Sequence, residues 1–388
     1  MNNILLSNLT EYQKSLLTRL AYLNVDYNRF QKVKEMQTKI TISDLKFLLS
    51  DPNDSYLGCL HLPQLKKAIT GVTTTNMEFV EEIENSGLGE LEVVDLANDL
   101  YSGFNGICFK DSMRNIGFSF RGTDPKTFYS LATDGLADVE AFLTNHTEQV
   151  DEAQTLFDKH KNHSSKNYLY GHSLGGFLAE SIYLQNHKDV SNAFVINPLH
   201  VNSQSLDTKE KIDAINNKEK FSCFVSGGDY VSSINKPELF AHNVHYVRNN
   251  KKNVNNPIGN HLVEACEFDE TGSLVQCSKE EAFEGHEIPL ATSAINVINN
   301  KKIKGFFSKA FLTSKKWFFS ITSRLENFFK NRKALKAGKE KTPDETEQNG
   351  LDKYIVHNDE TGKNVPDTYL KNNDKTLSHS GSKGEWQR

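Results

Sequence analysis

A five-residue segment near the middle of the chain has the residue types and the spacing that nucleophilic catalysis requires. Residues 171–175 read Gly-His-Ser-Leu-Gly, and apolar runs lie before and after them at 168–170 and 176–185. A serine at a sharp turn between a strand and a helix holds its hydroxyl above the sheet, and side chains in place of the glycines would collide with neighbouring backbone. The pattern predicts Ser173 as the nucleophile; the alternative is a glycine-rich turn with a solvent-exposed serine. The backbone N–H of Leu174, at the start of the predicted helix, is expected to stabilise a developing oxyanion.

A serine nucleophile needs a general base, and the base needs a carboxylate that orients it. In the fold that uses such turns, the acid and then the base follow the serine along the chain. Asp229 comes just after the apolar run 221–225 and is the leading candidate for the acid, with a turn-capping role as the alternative. Asp189, Asp207 and Asp213 lie in polar stretches and are weaker candidates.

Four histidines follow the candidate acid: His242, His245, His261 and His286. His242 and His245 flank the predicted strand 244–247, where they are expected to pack or to face solvent, and His286 lies in an acidic, polar stretch. His261 follows a polar loop and opens a short apolar segment. A late loop that folds back over the sheet is where the base must lie, so His261 is the predicted base, and His245 is the alternative.

The surrounding segments alternate between strand and helix patterns. The apolar runs 104–109 and 116–120 predict a β-hairpin, and a helix is expected over 150–160. Further strands are expected at 168–170, 193–197, 221–225 and 244–247. Strands that alternate with helices indicate an α/β fold, with a mostly parallel sheet covered on both faces.

Two segments resemble the class 3 lipases of the α/β-hydrolase superfamily. Residues 170–176 read Tyr-Gly-His-Ser-Leu-Gly-Gly, and residues 119–123 read Ser-Phe-Arg-Gly-Thr upstream of them. The similarity is greatest to a bacterial lipase-like branch and extends over about residues 100–270. It implies an α/β-hydrolase fold in which the backbone N–H of Thr123 joins that of Leu174 in an oxyanion hole.

The resemblance also implies roles for other residues. Asp229 matches the family's Gly-Asp-x-Val pattern, and His261 opens a segment like the one that carries the family's catalytic histidine. Residues 124–137 occupy the place of the family's lid, although a packed surface helix is an equal alternative. In relatives, the histidine that corresponds to His172 points away from the reaction centre, so a structural role is expected for it.

The chain is expected to divide into four parts. Residues 1–100 are predicted to form a helical region that packs on the core, and residues 101–285 to form the α/β core itself. Residues 286–337 are predicted as a basic amphipathic helical arm, and the polar residues 338–388 as a disordered tail. The net charge of −5 conceals an asymmetry, because Lys and Arg far outnumber acidic residues in 301–341.

The basic arm combines an aromatic face with a cationic face. Phe307, Phe311, Phe318 and Phe328 recur at helical spacing, and lysines and arginines surround them. A helix of this kind suits the surface of an anionic membrane, so residues 301–337 are predicted to make peripheral membrane contact. The alternative is a helix docked on the acidic body with its lysines reaching solvent. No nucleic-acid partner is expected.

Composition excludes several other classes of protein. The 388 residues are 37% hydrophobic and 24% charged, and no run of about 18 apolar residues predicts a membrane-spanning helix. The N-terminus lacks the features of a Sec signal, which favours a cytoplasmic or peripheral-membrane location, or export by another route. The five scattered cysteines include no Cys-x-x-Cys pair, so neither a disulfide framework nor a metal site is expected. The predicted chemistry needs no cofactor.

These features together predict a serine ester hydrolase that acts on acyl lipids, as a phospholipase A or an acylglycerol lipase at a membrane surface. One alternative is an exported lipase toxin whose helical ends serve secretion or bind a chaperone. Another is a non-catalytic protein that uses the same fold to bind a membrane or a protein partner. A thioesterase or peptidase on this scaffold also stays open, because a fold does not fix a substrate.

Overall fold

A computed structural model of the chain describes residues 4–37, 39–54, 74–99, 103–122, 148–201, 206–233, 243–250 and 257–284, together with 357–358 and 364–365. The chain divides into two units, residues 1–316 and 317–388. In the second unit, His357–Asn358 and Asn364–Val365 pair as two short antiparallel strands. The predicted lid at 124–137, the basic arm and the rest of the predicted tail lie outside the described residues.

A seven-stranded sheet forms the centre of the first unit, and its strands lie side by side in chain order. The first three strands pair antiparallel, and all later neighbours pair parallel. The sequence prediction of an α/β fold with a mostly parallel sheet is therefore confirmed. The strands are β1 Glu92–Asn98, β2 Asn105–Lys110, β3 Ile116–Phe120, β4 Asn167–His172, β5 Val190–Ile196, β6 Phe221–Ser226 and β7 Val244–Val247.

The helices of the described residues fall into an N-terminal group and a group that connects the strands. Short 3₁₀ turns separate several of them, for example at Ser43–Phe47 and Val263–Ala265. The α-helices are α1 Glu11–Leu20, α2 Tyr27–Met36, α3 Asn76–Asn85, α4 Glu148–His160, α5 Leu174–Asn186, α6 Thr208–Asn216, α7 Pro257–His261 and α8 Lys279–Phe283.

The connecting helices α4 and α5 cover one face of the sheet. Parallel connections are almost always right-handed, so connections that step repeatedly to the next strand in one direction put their helices on the same side. The strand residues alternate accordingly: Ala193 and Val195 of β5 pack in one apolar cluster with α4 and α5, whereas Phe194 and Ile196 pack in a second cluster on the opposite face.

The N-terminal region covers the face that the connecting helices leave open. Helix α1 lies against β3, β4 and β5, and Leu16, Leu17 and Leu20 pack in the second apolar cluster with Tyr170 and Phe194. Each buried leucine contributes about 1.5–3 kcal/mol relative to an exposed one. The N-terminal segment therefore covers one of the two faces of the sheet, and it lies next to the strands that lead into the predicted site.

The edge strand β1 lies in a region that the sequence predicts as helical. Residues 92–98 were expected within the helical region 1–100, with the α/β core beginning at 101, but they form the edge strand β1. The register of β1 against β2 shifts between Val93 and Asp95. Such a bulge breaks the alternation of apolar and polar residues, which is the pattern that identifies a strand in a sequence.

Candidate active site

Ser173 lies at the turn between β4 and α5 and is buried. Its backbone has φ 59° and ψ −129°, a sparsely populated conformation for a residue with a side chain, which costs about 1–3 kcal/mol. A Cβ atom at Gly171 would lie 2.1 Å from the carbonyl oxygen of Gly175, and one at Gly175 would lie 2.1 Å from that of Phe120. The predicted need for glycine on both sides of the serine is confirmed.

Asp229 follows β6 and is completely buried. Its carboxylate accepts hydrogen bonds from His261 Nδ1 at 2.8 Å, the Val231 N–H at 3.0 Å and the Ser232 hydroxyl at 2.6 Å. Burial by itself raises the pKa of this carboxyl, but its electrostatic interaction with His261 and these hydrogen bonds outweigh burial and lower the pKa below its usual value. Asp229 is therefore an anion at neutral pH.

His261 ends α7, beside Asp229 in space, and is buried. A carboxylate only accepts hydrogen bonds, so the 2.8 Å contact with Asp229 Oδ1 requires the proton of the neutral imidazole to lie on Nδ1. The remaining nitrogen, Nε2, then carries the lone pair that a general base uses. The structure thus brings together the residues that the sequence predicts as acid and base.

Polar groups that the sequence did not single out fix the backbone around His261. The carbonyl of His261 accepts a hydrogen bond from Asn197 Nδ2 at 2.8 Å, and the Ser226 hydroxyl donates to the carbonyl of Asn260 at 2.5 Å. Asn197 has a φ of 46°, a left-handed conformation that Asn tolerates better than most residues. Asn197 follows β5 and Ser226 ends β6. This position at the carboxyl end of a strand is the feature of the sequence that could have identified them as site residues.

His172 lies close to the predicted base. A structural role is expected for it; its ring centroid lies 4.8 Å from that of His261, and its Nε2 lies 2.8 Å from the carbonyl oxygen of His261. Burial, together with the electrostatic interaction with His261, lowers the pKa of His172 to about 3. The ring is therefore neutral at physiological pH and adds no charge beside the base.

The alternative residues have other contacts. His245 stacks on Phe224 and bonds to Gln276 Oε1 at 3.2 Å, so packing explains it. Asp189 lies 3.4 Å from Lys161 Nζ, in an ion pair away from the turn. The other alternative histidines, His242 and His286, lie outside the described residues.

One of the two predicted oxyanion donors belongs to the described residues. Leu174 is the first residue of α5, a helix of 13 residues, and the N-terminus of a helix carries partial positive charge that favours an anion. Thr123 lies outside the described residues. Gly122 is the last described residue before Thr123, and a Cβ atom at Gly122 would lie 3.0 Å from Ser173 Cβ.

Other predictions about chemistry concern absences. Among the described residues, no group of three or more His, Cys, Asp or Glu side chains is arranged to hold a metal ion. Cys108, Cys223 and Cys266 are free and buried. In the part of the chain that the structure describes, no helix has the length and apolar character needed to cross a membrane.

Comparison with known proteins gives limited similarity. No family model matches the sequence, and no curated protein matches it at a significant level. Among solved structures, the chain is similar to the Rhizomucor miehei lipase–propeptide complex, with 15% identity and a TM-score of 0.30 over 48% of this chain and 64% of that one. It also matches a triacylglycerol lipase from Penicillium expansum, with 16% identity and a TM-score of 0.26 over 49% of this chain and 75% of that one. The first match spans less than two thirds of that lipase, and scores of this size do not establish a common fold.

Proposed function

We propose that this chain is a serine ester hydrolase of the α/β-hydrolase type that acts on acyl lipids. The observation that carries the proposal is a strained serine at a strand–helix turn, accompanied by a buried carboxylate bonded to a buried histidine. Ser173, Asp229 and His261 occur in the chain order that α/β-hydrolases use. Two observations support these roles: the pKa of Asp229 lies below its usual value, and its hydrogen bond to His261 Nδ1 leaves Nε2 as the ring nitrogen that would act as the base.

In the proposed acylation step, the Ser173 hydroxyl attacks the carbonyl carbon of the ester while His261 Nε2 accepts the hydroxyl proton. The charge of Asp229 stabilises the imidazolium that forms. The carbonyl oxygen becomes an oxyanion, to which the backbone N–H groups of Leu174 and Thr123 donate. Each donor of this kind contributes about 3–4 kcal/mol to transition-state stabilisation.

The tetrahedral intermediate then collapses, so that the bond to the alcohol oxygen breaks and the imidazolium of His261 protonates the leaving alcohol. In deacylation, His261 takes a proton from water, and the resulting hydroxide attacks the acyl-enzyme. The bond between the acyl carbon and Ser173 breaks, the carboxylic acid leaves, and Ser173 regains its proton from His261.

The choice of acyl lipids rests on the sequence of the arm at 301–337. Aromatic residues at helical spacing among many lysines and arginines favour adsorption to an anionic lipid surface, where each basic residue contributes about 1 kcal/mol. A catalytic unit attached to such an arm would act on lipids at that surface. We therefore propose phospholipids or acylglycerols as substrates, with phospholipase A or lipase activity.

The decisive experiment compares the wild type with Ser173→Ala on a mixture of phospholipids and neutral glycerides, followed by identification of the released products. Ser164→Ala is the matched control, because Ser164 is an exposed serine in a turn of the same unit. We expect fatty acid release by the wild type and the control, and none by Ser173→Ala. If neither protein releases any product, the proposal is wrong and a binding role becomes the better account. If wild type and Ser173→Ala release the same products, the proposal that Ser173 is the nucleophile is wrong.

The arm is tested separately with the full chain and a chain that ends at residue 299. We expect the shortened chain to lose most of its binding to anionic vesicles and to keep hydrolysis of a short soluble ester. Binding should weaken as salt increases, because the attraction between exposed charges is screened. Equal vesicle binding by the two chains would contradict membrane contact through residues 301–337.

A further inference from the structure

We propose that Tyr22 is a positioning residue, whose hydroxyl connects the N-terminal segment to the backbone of both the proposed base and the proposed oxyanion segment. The inference rests on the proposed function, since it concerns the same site. Tyr22 follows α1 and is buried. Its hydroxyl lies 2.9 Å from His172 Nδ1 and accepts a hydrogen bond from the Gly122 N–H at 3.1 Å.

The donor and acceptor in each hydrogen bond between Gly122, Tyr22, His172 and His261 follow from the chemistry of the groups involved. His172 Nε2 faces the carbonyl oxygen of His261, which only accepts, so Nε2 carries the proton. The ring is neutral because burial and the electrostatic interaction with His261 lower its pKa to about 3, and Nδ1 is therefore an acceptor. Tyr22 then donates its single hydroxyl proton to Nδ1 at 2.9 Å, the shorter contact, rather than to the carbonyl oxygen of His172 at 3.5 Å, and its lone pairs accept from the N–H of Gly122. The connected path runs from Gly122 through Tyr22 and His172 to His261.

The hydroxyl fits this place only because residue 122 has no side chain. A Cβ atom at Gly122 would lie 2.2 Å from the Tyr22 hydroxyl oxygen and 2.9 Å from the carbonyl oxygen of His172. Gly122 immediately precedes Thr123, the proposed oxyanion donor. Tyr22 therefore bonds to the backbone one residue before that donor and, through His172, to the carbonyl of the base.

Further contacts hold the N-terminal segment in register with the sheet. The N–H of Ala21 donates to the Ser119 hydroxyl at 3.2 Å, and that hydroxyl donates to the carbonyl of Leu17 at 2.6 Å, so Tyr22 is fixed relative to β3. Arg19, also buried, forms an ion pair with Glu264 at 3.1 Å, three residues after the proposed base. Arg19 thus contacts the segment that carries His261 directly, and Tyr22 contacts it through His172.

The first test compares Tyr22→Phe with Tyr12→Phe in hydrolysis of a short soluble ester. Tyr12 is a matched control because it lies on α1 and its hydroxyl bonds to Glu82 at 2.9 Å, away from Ser173. We expect Tyr22→Phe to lower kcat by about 10- to 100-fold with little change in KM, since small misplacements of catalytic groups have effects of this size. Tyr12→Phe should keep wild-type kcat. Thermal unfolding of both variants identifies any loss of folded protein.

The second test does not depend on activity. In protein with ¹⁵N-labelled histidine, the His172 ring should show the tautomer with the proton on Nε2 and no titration between about pH 5 and pH 8. The Nε2 proton should exchange faster with water in Tyr22→Phe than in the wild type or in Tyr12→Phe. A wild-type His172 protonated on Nδ1 would overturn the inference, as would wild-type kcat in Tyr22→Phe. If the wild type hydrolyses no ester, the proposed function fails, and the ring spectra alone decide the role of Tyr22.

Discussion

Replacement of Asp229 by Asn tests whether the carboxylate orients the proposed base. The carboxylate holds the proton of His261 on Nδ1 through the 2.8 Å hydrogen bond. An amide has nearly the same shape, but it can present its NH₂ group to His261 and so stabilise the tautomer with the proton on Nε2. That tautomer has no lone pair where the hydroxyl of Ser173 must lose its proton. The amide also carries no charge to stabilise an imidazolium.

The expected loss is large because both effects act on the same step. In a serine protease, the equivalent exchange lowers kcat about 10⁴-fold, which corresponds to about 5 kcal/mol of activation free energy. We expect a loss of this order for Asp229→Asn, with a much smaller change in KM. The assay is hydrolysis of a short soluble ester at neutral pH. Asp189→Asn is the matched control, since Asp189 forms an ion pair away from the turn, with Lys161.

The same variant has a defined effect on the pH dependence of stability. The pKa of Asp229 is lower in the folded protein than its usual value, so its charge stabilises the fold above the unfolded-state pKa of about 3.9. That contribution is lost as the pH falls through the folded-state pKa. The difference in unfolding free energy between the wild type and Asp229→Asn should therefore be larger at pH 7 than at pH 3 in urea titrations.

In the ester assay, a kcat of Asp229→Asn within tenfold of the wild type would refute the role of Asp229.

Three other substitutions test single contacts by urea unfolding. Ser232→Ala removes the 2.6 Å hydrogen bond to Asp229 and should lower the unfolding free energy by about 1.5–3 kcal/mol; an unchanged midpoint would show that this bond is dispensable. Arg19→Met leaves two partly buried glutamates without their cation and should cost about 3 kcal/mol, whereas a cost below about 1 kcal/mol would mean that the pair behaves as a surface pair. Gly175→Ala places a Cβ atom 2.1 Å from a carbonyl oxygen and should destabilise the protein by at least about 3 kcal/mol; a wild-type midpoint would contradict the close packing of the turn.

The sequence predicts those parts of the fold that local patterns determine. The strands at 116–120 and 244–247 have the bounds that their apolar runs predict, and the serine turn follows from a five-residue motif. The pair of Asp229 and His261 is predictable because chain order and position after a strand limit the candidates to a few residues. Among the described residues, the strand β1 lies in a region predicted as helical, because its bulge interrupts the alternating pattern.

The contacts that hold the site together are not visible in any sequence pattern. In the sequence, Tyr22 is only one apolar residue among several near a predicted helix. In the structure, its hydroxyl contacts Gly122 and His172, which lie 100 and 150 positions later in the chain. Asn197 and Ser226 likewise bond across neighbouring strands. Such contacts depend on which elements the tertiary fold brings together, and no local spacing encodes that information. The role of α1 in covering the sheet depends on the same long-range packing.

The central claim is that Ser173 is a nucleophile activated by its neighbours, and reaction with a fluorophosphonate tests it most directly. The reagent is incubated with the wild type, Ser173→Ala and Ser164→Ala, and the products are analysed by intact mass and peptide mapping. We predict a single covalent adduct on Ser173 in the wild type and in Ser164→Ala, and none in Ser173→Ala. Wild-type protein that folds but stays unmodified, or that carries its adduct on another serine, would contradict the account.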